Sequence, residues 1–411
     1  MGCKKILMLN AEKHQLGQRF FPLGFYIASS ILSKNGFEVK CLDLSFFRNP
    51  QKIIQDTLDV FCPEIIGFSV CSANNYKMAL ELVYSLKLYL NFYIIFGGQH
   101  MHPPTNGKTP LYDSCIGDME MNSFFFDRNI KSERLESPDY SLVDNINLYY
   151  PAVEVSRGCW NLCNFCNSNN AYVEKPLNKI ENELNYLSFI YPRDSILTLA
   201  GSNHAFLSWK RSGLLNVLKE YSSHFRFNFN LGVESNWESI WDDIINLNIW
   251  NIFVGIDAIC EDTLINMGKT RTPHRYIEKS NNLLYRCKTD GIYTFATYIY
   301  GYPGDNINVL DSLDEFLKKY LCNNIYQMCF PCEAYPGSDL LKKRKWYENK
   351  GVVYHKIYPD SEIEYYKLDI STNITNKYLC ERSAHILDQI HNMCDTDEYR
   401  CKGRNKSLNN K

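Results

Sequence analysis

The stretch AVEVSRGCWNLCNFC, residues 152–166, decides how the rest of the chain is read. It begins as a short apolar run of the kind that forms a buried strand, and Arg157-Gly158 then breaks it into a loop. The loop carries Cys159, Cys163 and Cys166, separated by three and then two residues. A loop this tight can fold three thiolates around one face of an iron–sulfur cubane. Three protein ligands leave the fourth iron open, and an open coordination position separates a catalytic centre from an electron store. A zinc site is the alternative reading, and it wants a fourth Cys or His at a matching interval. His204 or Cys115 would have to supply it, and neither sits in a paired motif.

Reading downstream, apolar runs at 195–200, 226–231, 252–256, 292–300 and 325–330 continue the series begun at 152–156, with helical stretches between them. About six strand–helix units result, which suits a partial (β/α)6 TIM-type barrel with its chemistry at the C-terminal strand ends. Upstream, KILMLN (5–10), FEVKCLDL (37–44), IIGFSV (65–70) and YIIF (93–96) alternate with helical segments, the first at 22–34 and closed by Gly36. Strands and helices alternating at this pitch predict an α/β fold with a parallel Rossmann-like sheet covered on both faces. Gly67, Ser69, Gly97 and Gly98 fall at strand ends, where open parallel sheets bind ligands. The pattern breaks down over 113–150. The expected organisation is a first domain at 1–125, a linker at 126–150, the barrel at 151–340 and a C-terminal extension at 341–411.

The bulk numbers exclude several classes. A length of 411 residues suits two domains, and 45% apolar with 22% charged residues is the balance of a soluble globular protein. A net charge of −2, without a clustered basic field, predicts no nucleic-acid partner. No run approaches the roughly 20 apolar residues of a membrane span. The N-terminus enters its first strand without the apolar stretch of a signal peptide, so the cytoplasm is the expected location. Sixteen cysteines in a long chain rich in core residues point to metal or catalysis in a reducing compartment.

CxxxCxxC with an aromatic residue before the last cysteine, on the first loop of a six-unit barrel, resembles the radical S-adenosylmethionine (SAM) superfamily. The resemblance implies a [4Fe–4S] cluster at Cys159, Cys163 and Cys166 and cleavage of SAM to a 5′-deoxyadenosyl radical. It also implies an electron donor of the flavodoxin or ferredoxin type. The SAM residues it suggests are Ser202 and Asn203 after the second strand, Glu234, Asp257 in Gly255-Ile256-Asp257, and Tyr300, Gly301 and Pro303. Gly301-Tyr302-Pro303-Gly304-Asp305 is similar to the family's Gly-x-Pro-Gly-Glu loop, and Met267-Gly268-Lys269-Thr270 to its Met-x-Lys-Gly. Asp257 stands where the family has Glu, and the usual acidic pair beside Ser202 is absent.

Pro22-Leu23-Gly24, residues 36–44 and 63–70, Gly97-Gly98-Gln99-His100 and Gly117-Asp118-Met119-Glu120 resemble the cobalamin-binding domain fused to one large class of these enzymes. The resemblance implies cobalamin near Gly24, Ser69, Gly97 and Gly98. Many cobalamin domains ligate cobalt through Asp-x-His-x-x-Gly. Here Arg19 and Phe21 occupy the Asp and His positions, and His14 lies in an offset copy seven residues earlier.

The reading that follows is a cobalamin-dependent methyltransferase acting on an unactivated carbon of a small molecule or natural product. A rearrangement, cyclisation, dehydration or epimerisation without methyl transfer is the second reading, and a non-catalytic metal-binding scaffold the third. An auxiliary cluster would draw on Cys322, Cys329, Cys332, Cys380, Cys394 and Cys401.

Overall fold

The computed structural model describes residues 4–86, 91–98, 114–116, 130, 135–168, 171–201, 206–320, 324–359 and 364–393. The chain is a mixed α/β protein with two parallel sheets, and its contacts divide it into two compact units. The first comprises residues 1–154, 178–191 and 358–365, the second 155–177, 192–357 and 366–411. The segment 135–154 and the helix Leu177–Ile190 thus fall almost wholly to the first unit, and the C-terminal residues are shared between the two.

The first unit is built on β1 (Lys5–Asn10), β2 (Glu38–Asp43), β3 (Ile65–Ser69), β4 (Tyr93–Gly97) and β5 (Ser114–Ile116). They pair in parallel in the order β2-β1-β3-β4-β5. Between them run α1 (Leu23–Lys34), α2 (Pro50–Phe61) and α3 (Ala73–Leu86). Side chains of a strand alternate between faces, and both faces of β1 are apolar. Leu7 and Leu9 join Ile54 and Leu58 of α2 and Tyr76, Leu82 and Val83 of α3 in one core. Ile6 and Met8 join Phe25, Ile27 and Ile31 of α1 in another. Each fully buried side chain of this size is worth about 1.5–3 kcal/mol, so the two-faced pattern forces helices onto both sides.

Local signals set the element boundaries. Asn49 accepts the Lys52 amide at 3.2 Å, with Pro50 at the first helical position, and so starts α2. Asp43, at the end of β2, takes the Ser45 amide at 2.9 Å and the Tyr149 hydroxyl at 2.7 Å. That buried contact fastens the segment leading out of the first unit to the C-terminal edge of its sheet.

The second sheet starts with β6 (Ala152–Glu154), the last residues of the first stretch of unit one, and continues in the second unit with β7 (Ser195–Ala200), β8 (Phe225–Asn230), β9 (Ile249–Asp257), β10 (Thr294–Tyr300) and β11 (Ile325–Pro331). These strands neighbour one another in chain order, and the passage from one unit into the other falls at the end of β6. The pairs from β7 to β11 are all parallel. A sheet of this kind brings every strand's C-terminal end to one edge, and the loops bearing Cys159 to Cys166, Glu234, Asp257 and Gly301 all leave from that edge.

Two elements close the second unit beyond the strands expected from sequence. A small antiparallel sheet pairs β12 (Val353–Lys356) with β13 (Tyr366–Asp369). The terminal helix Asn376–Met393 lies against β11 and against Gly301, where a Cβ would come within 2.6 Å of Leu379.

Candidate active site

The cysteine loop is closed at its base by a short antiparallel ribbon in which Ser156 and Arg157 face Glu174 and Val173. Gly158 takes a positive φ of 78°, which reverses the chain straight into Cys159. Within the loop, two sulfurs receive backbone amides. The Asn161 N–H donates to Cys159 Sγ at 3.4 Å and the Ser168 N–H to Cys166 Sγ at 3.3 Å. Amides aimed at sulfur suit thiolates that carry metal and tune its potential. Cys163 is the deepest of the three, at 6% exposure, while Cys159 and Cys166 are half-buried, and none of the three is in a disulfide. Burial pushes the Cys163 thiol up to about 12. Lys269 opposes that rise, while Asp257, Cys166 and Cys159 add to it. Ionising it therefore calls for a cation, which an iron would supply.

Three thiolates on one loop, two of them receiving backbone amides, suit the corners of a cubane. His204 lies outside the described residues, as do Cys322, Cys394 and Cys401. Cys329 and Cys332 are buried in and beside β11, and Cys380 is exposed on the terminal helix.

A second loop clamps the first. It follows α4 (Glu261–Asn266), the helix after β9, and leads into α5 (Pro273–Thr289). The Asn164 N–H donates to the Met267 carbonyl at 2.7 Å, and Asn164 Nδ2 donates to the Asn266 carbonyl at 2.7 Å. Gly268, at φ 64°, lies so close that a Cβ would stand 3.1 Å from the Leu162 carbonyl. The Asn164 carbonyl accepts the Leu340 amide at 2.7 Å. Met267-Gly268-Lys269-Thr270 is thus the element that holds the cysteine loop in place.

The structure brings Asp257, Glu234 and the cysteines together through that clamp. Asp257 is ion-paired with Lys269, and both side chains are nearly buried. Burial alone would push the Lys269 ammonium down. The Asp257 carboxylate, the Tyr276 phenol and Cys163 together hold it well above its ordinary value. Glu234 accepts the Thr270 hydroxyl at 2.7 Å. Both acidic residues expected at SAM are therefore tied to neighbours in the clamp.

The Gly301 loop supports the same region from the other side. The fully buried Tyr302 sends its hydroxyl toward the Asn266 carbonyl at 3.4 Å and the Tyr347 hydroxyl at 3.3 Å. Asp305 accepts the Tyr302 amide at 2.8 Å and the Thr263 hydroxyl. Pro303 is buried within this turn. Tyr300 points elsewhere: its hydroxyl donates to Asp314 at 2.7 Å, and Asp314 accepts Arg382 of the terminal helix at 2.7 Å. Ser202 and Asn203 lie outside the described residues. Sequence reading missed Asn164, Lys269 and Tyr302 as supports, although Lys269 and Tyr302 lie inside stretches singled out for other reasons.

In the first unit, one register row crosses the C-terminal edge of the sheet: Asp43, Asn10, Ser69 and Gly97. The order β2-β1-β3 makes the gap between Asn10 and Ser69 a topological switch point, where open α/β sheets bind ligands. Gly98 follows at φ 137°, and a Cβ there would lie 2.2 Å from the Val70 carbonyl, so its glycine is fixed by close backbone approach. Gly24 is exposed in the first turn of α1, and nothing lies within 4 Å of where its Cβ would sit. His14 is exposed, its Nδ1 3.1 Å from the Ser45 carbonyl. Arg19 donates to the carbonyls of Gly17, Gln15 and Ser45, and Phe21 is in the core. Gln99, His100 and residues 117–120 lie outside the described residues.

No protein-family model and no curated protein matches the chain. Its fold matches solved structures. The radical SAM methyltransferase TsrM from Kitasatospora setae, with cobalamin and a [4Fe–4S] cluster bound, aligns with a TM-score of 0.69 at 12% identity, over 95% of this chain and 91% of that one. TsrM with tryptophan substrate and a SAM analogue aligns at 0.64 and 14% identity, over 86% and 79%. The cobalamin-dependent SAM radical enzyme OxsB, with aqua-cobalamin bound, aligns at 0.65 and 14% identity, over 89% of this chain and 64% of OxsB. The chain thus has the fold of cobalamin-dependent radical SAM enzymes across both units.

Proposed function

We infer that the chain is a radical SAM enzyme whose first unit is a Rossmann-like cobalamin domain and whose second is a partial (β/α)6 barrel carrying the cluster. The observation that carries this reading is the trio Cys159, Cys163 and Cys166 on one clamped loop, with amides directed at two of the sulfurs. When bound, the cluster and SAM would supply a carbon radical, and cobalamin a transferable methyl group.

The chain's own residues supply ligation, orientation and shelter. Cys159, Cys163 and Cys166 would hold three irons and leave the fourth to SAM. Glu234 and Asp257, both held by the clamp loop, are proposed beside SAM with Ser202, Asn203, Tyr300, Gly301 and Pro303. Of these, Tyr300 has its hydroxyl engaged by Asp314. In the first unit, Ser69 and Gly97 on the switch-point row, with Gly98 next to them and Gly24 on α1, would accommodate the corrinoid. The open space at Gly24 fits a bulky planar group. Phe21, at the position usual for a ligating histidine, is buried in the core and would offer a corrinoid no donor atom.

The reaction proposed is methyl transfer to an unactivated carbon of a small molecule. It would take place in the reducing cytoplasm, with electrons from a flavodoxin- or ferredoxin-type donor. The buried Cys41, Cys163, Cys329 and Cys332 form no disulfide, which supports a reducing setting.

The test is anaerobic reconstitution with iron, sulfide and hydroxocobalamin. Close to four irons and one corrinoid per chain are expected, together with 5′-deoxyadenosine when reductant and SAM are added. Cys163→Ala should abolish the brown chromophore and the nucleoside product together. Product mass gained by one CH2 separates methyl transfer from the rearrangement class. Four irons and nucleoside release without bound corrinoid would overturn the methyl-transfer assignment and leave the cluster assignment standing.

A further inference from the structure

We propose that the buried Asp257–Lys269 pair sets the reduction potential of the cluster through the charge it places beside Cys163. The inference rests on the cluster assignment above and deepens it.

Three observations carry the proposal. First, the chain segment around Cys163 runs directly against the segment around Lys269. The amide of Asn164 meets the Met267 carbonyl, and Leu162 meets Gly268, so the residues between and after these contacts are neighbours. Second, the backbone is distorted to aim the carboxylate. The parallel register of β9 and β10 slips between Gly255 and Asp257, and Asp257 itself sits at φ 65°. An aspartate in the left-handed region is uncommon and persists where its surroundings hold it there. Here the Tyr276 hydroxyl braces the slip by donating to the Gly255 and Ile256 carbonyls at 3.2 and 3.1 Å. Third, the pair is nearly dry, with 14% and 12% of its side-chain surface exposed.

Charges act over longer range in such surroundings than in water. The potential of an iron–sulfur cluster follows the net charge around it and the hydrogen bonds to its sulfurs. Cys159 and Cys166 are furnished with amides by their own loop. Cys163 lies on the loop packed against Lys269, within electrostatic reach of its ammonium, which favours the added electron of the reduced cluster. Asp257 holds the ammonium in position and partly cancels it. The balance of the two is therefore the tuning device, and each member should move the potential in the opposite sense.

The experiment is an EPR-monitored redox titration of the reconstituted holoprotein without SAM, so that nucleotide binding does not contribute. Lys269→Met should shift the midpoint to a more negative potential by at least a factor of ten in the reduction equilibrium, 59 mV for one electron. Asp257→Asn should shift it to a more positive one, and Lys269→Arg should restore the wild-type midpoint. Lys269→Gln replaces the Met variant if that one does not fold, with the same expected sign. Iron-loaded variants with unchanged midpoints, or Lys269 and Asp257 variants shifting in the same direction, would overturn the inference and leave the cluster assignment intact. Wild-type protein that takes up no iron would remove the cluster assignment itself, and the inference with it.

Discussion

Asn164 Nδ2 donates to the main-chain carbonyl of Asn266 at 2.7 Å, a contact that joins the cysteine loop to the end of a helix 102 residues further on. The same carbonyl receives the Tyr302 hydroxyl, so three loops of the second unit meet over one oxygen. A loop that must hold three thiolates at the corners of a cubane gains from being fixed before metal arrives, because ligands ordered in advance lose less entropy on binding.

Asn164→Ala should therefore weaken iron retention without unfolding the unit. One hydrogen bond of this kind is worth about 0.5–1.5 kcal/mol, a fewfold to roughly tenfold increase in the rate of iron loss to a chelator. The measurement is chelator-driven bleaching of the brown chromophore, with far-ultraviolet circular dichroism as the control. Bleaching at the wild-type rate would show that the clamp does not depend on this side chain.

Tyr302→Phe probes the same junction from the other side. It keeps the buried ring and removes the hydroxyl shared with Asn266 and Tyr347. A stability loss of about 1 kcal/mol is expected, measured by urea unfolding, together with faster chelator bleaching than in wild type. Loss of stability with unchanged bleaching would confine Tyr302 to packing.

Cys329 and Cys332 offer a contrast with the trio. Burial pushes both thiols up, and both lie in or beside β11 instead of on the clamped cysteine loop. Reconstituted Cys329→Ser and Cys332→Ser should each bind as much iron as wild type. A drop from about eight irons to about four would restore the auxiliary-cluster reading.

The strands of both sheets were legible because buried parallel strands are written as short apolar runs, and every run singled out between 5 and 330 forms a strand within a few residues of its expected ends. Ser114–Ile116 escaped because three residues are too few to carry a pattern. The helix Asn376–Met393 escaped for a different reason: its apolar positions are thinly spread, and its place is fixed by Leu379 filling the space left by Gly301. That the three cysteines share one loop was legible from their spacing. Its supports were not, since Asp257 meets Lys269 only after β9 slips register, and Asn164 meets Asn266 only after three further strands of the sheet are laid down. Tyr300 shows the limit of reading by strand-end position, because its hydroxyl turns to Asp314.

The two glycines of the first unit should respond oppositely to alanine. At Gly98 the positive φ and the Val70 carbonyl 2.2 Å from a Cβ leave no room, so Gly98→Ala should cost roughly 2–4 kcal/mol in urea unfolding. At Gly24 the space is open and the φ ordinary, so Gly24→Ala should leave stability unchanged or raise it by about 0.4–1 kcal/mol. On the cobalamin reading, Gly24→Ala should nonetheless bind hydroxocobalamin more weakly. Equal stability loss at both positions would mean that the backbone row at the sheet edge is set differently.

Asp305 gives the second unit a pH dependence of definite sign. Burial raises its carboxyl from the ordinary 3.8 to about 6, against the opposing hydrogen bonds from Thr263 and the Tyr302 amide. An acid that holds its proton more tightly when folded stabilises the fold most while that proton is on. Its contribution is fully present below about pH 4, declines as the pH rises through about 6, and is absent above that. Two pKa units correspond to no more than about 3 kcal/mol, and partial solvent access brings the expected change to on the order of 1–2 kcal/mol. The check is urea unfolding of wild type and Asp305→Asn across pH 4 to 7.5. Wild type should lose this increment between pH 4 and 6, and the variant, which cannot ionise there, should lack that part of the slope. Identical slopes in the two proteins would mean that the carboxylate is solvated well enough to titrate as an ordinary aspartate.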